Sequence, residues 1–253
     1  MPEGDTIHRA ARRINAALAG RELGRADAPD PRSPLHRRAA ELEGRTLVEA
    51  EALGKHLLVH LSGDAVVHSH LGMNGRWRIA TDGRLPHGRP WLRLASGRSI
   101  AAQTGGKLLR LVSESRARND PALMQLGPDP LRPGFDRGAA AARLRAAGPE
   151  REVGETLLDQ RIIAGIGNAI RNEVCFACAV SPWRRIGELS EEEAERLVAE
   201  TERIMRVAVA RGRRPRSIYR ATRTGCPSCG GRISSRGQGD DNRTAYWCPA
   251  CQT

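Results

Sequence analysis

Apolar residues Ile7, Ala10, Ala11, Ile14 and Leu18 recur at helical spacing, which predicts a helix with one apolar face near the start of the chain. Asp5 or Thr6 stands where a cap is needed, and Gly20 where such a helix should stop. From about 44 to 112 the pattern changes. Short segments at 46–51, 56–61, 65–70, 76–80 and 91–94 are separated by glycine-bearing turns, which predicts a β-sandwich or barrel. Three prolines and two glycines crowd residues 126–134, the composition of a linker. Beyond it the helical period returns at 137–147, around 152–161, around 167–178 and at 190–211. Ser190 followed by Glu191, Glu192 and Glu193 opens the last of these with a cap and first-turn acids. Residues 212–225 are basic and loop-like, and no internal repeat is visible.

Charge adds a partner class. The 253 residues carry a net charge of +12, which favours a polyanion, most simply nucleic acid. Of 41 basic residues besides histidine, only Lys55 and Lys107 are lysines, so both become candidates for work an arginine cannot do. No apolar run is long enough to span a membrane and no leader pattern opens the chain, so the expected location is the cytoplasm, with no membrane partner.

Four of the six cysteines lie in the last 28 residues, as Cys226-Pro-Ser-Cys229 and Cys248-Pro-Ala-Cys251 separated by eighteen residues. That spacing suits one tetrahedral zinc ion, structural because four thiolates leave no open position. Two disulfides are the alternative, disfavoured in a cytoplasmic chain. The segment between the pairs suits a hairpin whose Arg236 and Arg243 could reach phosphates. Cys175 and Cys178, at helical spacing among apolar residues, read as buried thiols. Gly165-Ile-Gly167-Asn168 is a glycine turn into a helix, able to bring backbone and the Asn168 amide close to a phosphate. Met73, at a glycine-flanked turn, is a candidate wedge for a base stack or an ordinary turn residue. Lys55 stands just before a strand.

Pro2 offers covalent chemistry. Removal of Met1 would leave a secondary amine, and an α-amino group titrates near about 7.7–8.0, so part of it is unprotonated at neutral pH. Such an amine attacks an aldehyde-like carbon to form an iminium, with Glu3 beside it to move protons. Many chains begin Met-Pro with no such role.

In order along the chain, Pro2-Glu3-Gly4, Gly54-Lys55-His56, His70-Leu71-Gly72-Met73-Asn74-Gly75, Leu126-Gly127-Pro128-Asp129-Pro130-Leu131, Gly165-Ile-Gly167-Asn168 and Tyr246-Trp247-Cys248-Pro249 resemble the Fpg/Nei family of DNA glycosylases, closest to its endonuclease VIII (Nei) branch. The resemblance implies an α+β multidomain fold. Residues 1–120 would be a catalytic domain of N-terminal helix plus β-sandwich, 121–135 a linker, 136–215 a helix–two-turn–helix DNA-binding domain, and 216–253 a zinc finger. It also implies a bifunctional glycosylase and abasic-site lyase of base excision repair, acting as a monomer on damaged double-stranded DNA at the nucleoid. Pro2 would attack the sugar C1′, Glu3 act as acid and base, and Lys55 hold phosphate and aid catalysis. Asn168 and Arg243 would bind phosphates, Met73 would fill the gap left by the extruded base, and β- and δ-elimination would cut the strand. Many relatives carry glutamate where this chain has Thr6. The short stretch before Cys226 favours oxidised pyrimidines, whereas the setting of Met73 is closer to Fpg enzymes that excise 8-oxoguanine. A non-enzymatic zinc protein that binds DNA, and an abasic-site lyase with little glycosylase activity, are the other readings.

Overall fold

The computed structural model describes residues 2–84 and 88–253; Met1, whose removal the Pro2 chemistry requires, lies outside them. The chain forms two compact units, Met1–Met124 and Gln125–Thr253.

In the first unit, α1 (Gly4–Leu18) buries Ile7, Ala10, Ala11, Ile14 and Leu18, the face its periodicity predicts. Two four-stranded antiparallel sheets follow, with orders β1-β6-β7-β5 and β2-β3-β4-β8. Their strands are β1 (Arg25–Asp27), β2 (Leu47–Leu53), β3 (His56–Leu61), β4 (Ala65–His70), β5 (Arg76–Ala80), β6 (Leu92–Ser96), β7 (Ser99–Thr104) and β8 (Leu108–Val112). One apolar core joins α1 to the inner faces of both sheets: Leu57, Val59 and Leu61 of β3 and Leu92, Leu94 and Ala101 of β6 and β7 belong to it. This is the expected sandwich, with the helix packed into it. Asn15 locks the helix onto β2 by donating to Ala50 O (2.9 Å) and accepting from Ala50 N (2.6 Å). Arg13 donates to Ile79 O of β5 at 2.7 Å. Strands β1, β7 and β8 lie outside the segments the pattern singles out. β7 reads Ser-Ile-Ala-Ala-Gln-Thr, small and polar residues that sit at the centre of a sheet because its buried Gln103 is hydrogen-bonded. Two short helices, α2 (Glu114–Arg118) and α3 (Pro121–Met124), end the unit; Ala117 of α2 covers Leu58 and Val66 on the outer face of the second sheet.

The second unit holds α4 (Arg137–Arg145), α5 (Val153–Thr156), α6 (Asn168–Ala177) and α7 (Glu191–Arg211), followed by the hairpin β9 (Ser234–Gln238) and β10 (Arg243–Trp247). Ser190 caps α7 through a reciprocal box with Glu193. The helix expected around 152–161 stops at Thr156. Asp159 accepts from the backbone N–H and guanidinium of Arg161, a local turn that competes with helical pairing. Cys175 and Cys178 are free and lie in the helical core; burial pushes both thiols up to about 12, so they pack rather than react.

Candidate active site

Pro2 is half-buried immediately before α1 and lines a cavity of about 570 Å³. Thr6 of α1, Met73, Asn74 and Gly75 of the β4–β5 turn, and Arg76 and Arg78 of β5 complete most of its wall. Glu3 occupies the N-cap position, and its carbonyl accepts from Thr6 N (2.9 Å) and Ile7 N (3.2 Å). Pro2 therefore stands at the positive end of the helix, where an anion is favoured and a protonated amine is not. Glu3 is fully buried and Met73 is 61% exposed, so the thioether is held out at the rim. The turn that presents it must be glycine-built. A Cβ on Gly75 would lie 2.5 Å from Leu71 O and 2.9 Å from Gly106 Cα, so two backbones touch there. Beneath the wall, Trp77 Nε1 donates to Ser69 Oγ (3.3 Å), Ser69 Oγ to Gln103 Oε1 (2.7 Å), and Gln103 Nε2 to Gly105 O (2.8 Å). This buried chain ties β5 to the turn behind Met73.

Lys55 is half-buried in the β2–β3 turn, and among the described residues it does not line the cavity. It stands instead beside three histidines that share the outer face of the second sheet. Register places His56 opposite His70, and His68 two residues from His70 on the same face. Arg110 can only donate, and both Nε and Nη2 reach His68 Nδ1 (3.3 and 3.0 Å). Neutral His68 thus carries its proton on Nε2 and donates it to His56 Nδ1 at 2.9 Å. His70 Nδ1 accepts from Gly72 N (3.1 Å), gripping the turn that bears Met73. Burial, then its histidine neighbours, hold His56 down at about 3. Burial and Arg110 hold His68, and burial, Lys107 and Lys55 hold His70, each at about 4. The cluster is neutral at physiological pH. In the sequence the signal for this cluster is the pair His68-x-His70 at strand period.

In the second unit Gly165 adopts φ +93°, and Gln160 fastens the turn by accepting from Gly165 N (3.0 Å) and donating to Ile166 O (2.9 Å). Asn168 opens α6, nearly buried, and its Nδ2 donates to Thr244 O of β10 at 3.0 Å. Tyr246 N donates to Asn172 Oδ1 at 2.6 Å, so α6 and the hairpin are zipped together. Arg171, fully buried, completes the joint: its Nη2 donates to Asn168 Oδ1 and to the carbonyls of Arg243 (3.3 Å) and Thr244 (3.2 Å), and its Nη1 to Gln238 Oε1. Asn168 and Arg243 are thus brought together by a residue with no signal in the sequence, because one arginine in an arginine-rich chain does not stand out. Arg243 itself is half-buried, 3.7 Å from Asp241.

The Sγ atoms of Cys226, Cys229, Cys248 and Cys251 all lie within 4.8 Å of one another, with pairs at 3.8 and 3.5 Å. Metal–sulfur bonds of about 2.3 Å in a tetrahedron space the sulfurs by about 3.8 Å, so the cluster has the size of a four-thiolate site for one metal ion. Gly231 N donates to Cys229 Sγ at 3.4 Å, a bond suited to a thiolate.

Two family models match: the formamidopyrimidine-DNA glycosylase N-terminal domain over residues 1–108 and the formamidopyrimidine-DNA glycosylase H2TH domain over 126–219. The chain is 40% identical to "Probable endonuclease 8 2" of Streptomyces coelicolor, covering 100% of this chain and 94% of that one. It is 36% identical to "DNA-(apurinic or apyrimidinic site) lyase Nei2" of Mycolicibacterium smegmatis, covering 100% and 99%. Among solved structures, the crystal structure of MutM (Fpg) from Thermus thermophilus superposes with a TM-score of 0.79 at 29% identity, covering 99% of this chain and 98% of that one.

Proposed function

Because the chain belongs to the formamidopyrimidine-DNA glycosylase and endonuclease VIII family, we propose that it removes an oxidised base from double-stranded DNA and cuts the strand at the resulting abasic site, with Pro2 as nucleophile. The observation that carries this reading is the cavity in which Pro2, at the N-terminal end of α1, faces the rim that holds Met73 out to solvent. Once Met1 is removed, the Pro2 nitrogen attacks C1′ of the extruded nucleotide as the C1′–base bond breaks and the base takes up the amine proton; the C1′–O4′ bond then breaks, O4′ taking a proton from Glu3, and an iminium joins protein and sugar. The iminium acidifies the neighbouring C–H, and β- then δ-elimination releases the two phosphates. Glu3 moves protons at the sugar, and Lys55 contributes to phosphate binding and catalysis. Met73 fills the space the base leaves, while Asn168 and Arg243 hold phosphates.

The four cysteines hold one structural zinc ion in this reading, which cross-links the two knuckles and leaves the chemistry to the protein. Oxidised pyrimidines are the proposed substrates. The segment between α7 and Cys226 is short, and its backbone is tied down: Ser217, Ile218 and Tyr219 N–H groups donate to Glu173 at 2.8, 3.1 and 2.9 Å. Little chain remains there to cap an extruded purine.

Incubation with duplexes carrying thymine glycol, dihydrouracil or 8-oxoguanine, followed by borohydride, should trap a covalent adduct on the pyrimidine lesions. The adduct should disappear in Pro2→Gly and in protein that keeps an N-terminal tag. Absence of an adduct on every lesion would refute the reading, and preference for 8-oxoguanine would move the specificity to purines.

A further inference from the structure

A second cavity, of about 600 Å³, lies in the second unit at the end of the hairpin remote from Arg243. Among the described residues its lining includes Arg232, Arg236, Thr222, Ser234, Ser235 and Trp247 and no carboxylate. Ser234 pairs directly with Trp247, and Arg236 follows on the same face of β9. The Arg236 guanidinium lies over the Trp183 ring, 3.8 Å from its centroid, and Trp183 meets Trp247 edge to face at 5.3 Å. Stacking fixes the plane of that guanidinium and leaves its N–H edge to a ligand. Among the described residues neither the Arg232 nor the Arg236 guanidinium has an ion pair or a hydrogen bond, whereas those of Arg151 and Arg184 in the same unit are engaged by Asp159 and Glu193. Two unpaired guanidiniums, three hydroxyls and an indole around a space of this size suit an anion attached to a flat ring.

We propose that this cavity binds an unpaired nucleotide of the DNA, with its phosphate on Arg232 and Arg236 and its base against Trp247. The nucleotide must be unpaired because a base inside a duplex has its faces covered by its neighbours. The site rests on the DNA-processing function proposed above. From Arg243 to Trp247 the strand advances about 13 Å at about 3.3 Å per residue, roughly four nucleotides of stacked DNA. The cavity would therefore receive single-stranded DNA a few nucleotides from the phosphate held by Arg243.

The test compares a blunt duplex containing a tetrahydrofuran abasic analogue with the same duplex extended by a single-stranded tail, at either end and of either polarity. The wild-type chain should bind one tailed duplex about tenfold more tightly than the blunt one. The Arg232→Ser/Arg236→Ser variant, with unchanged melting temperature and metal content, should bind both alike, at the wild-type blunt value. A tail of abasic residues, which keeps the phosphates without the bases, should give a smaller gain. Wild-type protein that gains nothing from any tail, or a variant that keeps the gain, overturns the site. An equal gain from the abasic tail overturns the base contact. Wild-type protein that binds neither duplex overturns the DNA-processing reading itself.

Discussion

Arg171 decides which way the Asn168 amide faces. Its guanidinium takes Asn168 Oδ1, so the Nδ2 group is the one turned toward Thr244 O and the edge of the hairpin that carries Arg243. A buried arginine offers only donors, so an inverted amide would set N–H against N–H. The N–H-bearing edge of the Asn168 amide is thus fixed, as the phosphate contact proposed for it requires.

The variant Asn168→Asp separates this orientation from mere stability. Its carboxylate still accepts from Arg171 but sets an oxygen against Thr244 O where Nδ2 donated, so the melting temperature should fall, though by less than in Arg171→Met. The donor is lost and a negative charge replaces it, so affinity for DNA containing an abasic analogue should fall by about tenfold or more. Arg171→Met leaves buried acceptors without partners and should lower both stability, by about 2 kcal/mol, and affinity. Equal loss of stability in the two variants would contradict the assignment.

How far such features were legible in the sequence depends on whether their signal is local. The helix at Ile7–Leu18, the knuckle spacing at Cys226 and Cys248, and the glycine turn before Asn168 each follow from a short pattern. The Asn168–Arg171–Gln238 joint does not, since Gln238 lies 67 residues from Arg171 and neither belongs to a motif. Strand β7 was equally silent, because a central strand filled with alanine, serine and glutamine is stabilised by neighbours on both sides and not by its own alternation.

Acid should unfold the first unit through its histidines. His56, His68 and His70 titrate at about 3 to 4 in the folded chain and near about 6.5 when unfolded, so the unfolded state takes up protons first as pH falls. Stability is fully present above about 6.5 and declines toward 4, with a slope of up to about 4 kcal/mol per pH unit if all three contribute. His68→Asn should flatten the urea midpoint plotted against pH in that window.

His60 works in the opposite direction. Hydrogen bonding to Glu51, and then to Glu114, raises it to about 9 against the cost of burial, with Nδ1 2.8 Å from Glu114. The stabilisation it supplies is complete below about 6.5 and is lost as pH rises through 9. The pair is partly exposed, so the loss should be about 1 kcal/mol. His60→Gln should remove the alkaline decline measured by chemical denaturation between pH 7 and 10.

Loss of the metal should uncouple the finger from the DNA. Cys226 and Cys248 are buried and anchor a small apolar cluster with Ile218 and Ile233, a core too small to hold the hairpin alone. Cys248→Ser should lower zinc content, DNA affinity and incision together, while the first unit keeps its acid-unfolding profile. Full activity in a metal-free preparation would contradict the role given to the finger.

Asp241 restrains the arginine proposed to grip phosphate. Its carboxylate lies 3.7 Å from Arg243 Nε and is 80% exposed at the hairpin turn. An exposed pair of this kind contributes about 0.2–1 kcal/mol, so it costs the fold little to lose. Against DNA the same carboxylate competes with the phosphate for the guanidinium and repels the backbone as well. Asp241→Asn should therefore leave the melting temperature unchanged and tighten binding to an abasic-analogue duplex by about twofold to fivefold at low salt. The gain should shrink as salt is raised, because screening weakens the repulsion that the substitution removes. In the Arg243→Ala background the gain from Asp241→Asn should fall to the part due to repulsion alone. A gain of the same size in both backgrounds would mean that Arg243 is not the phosphate ligand.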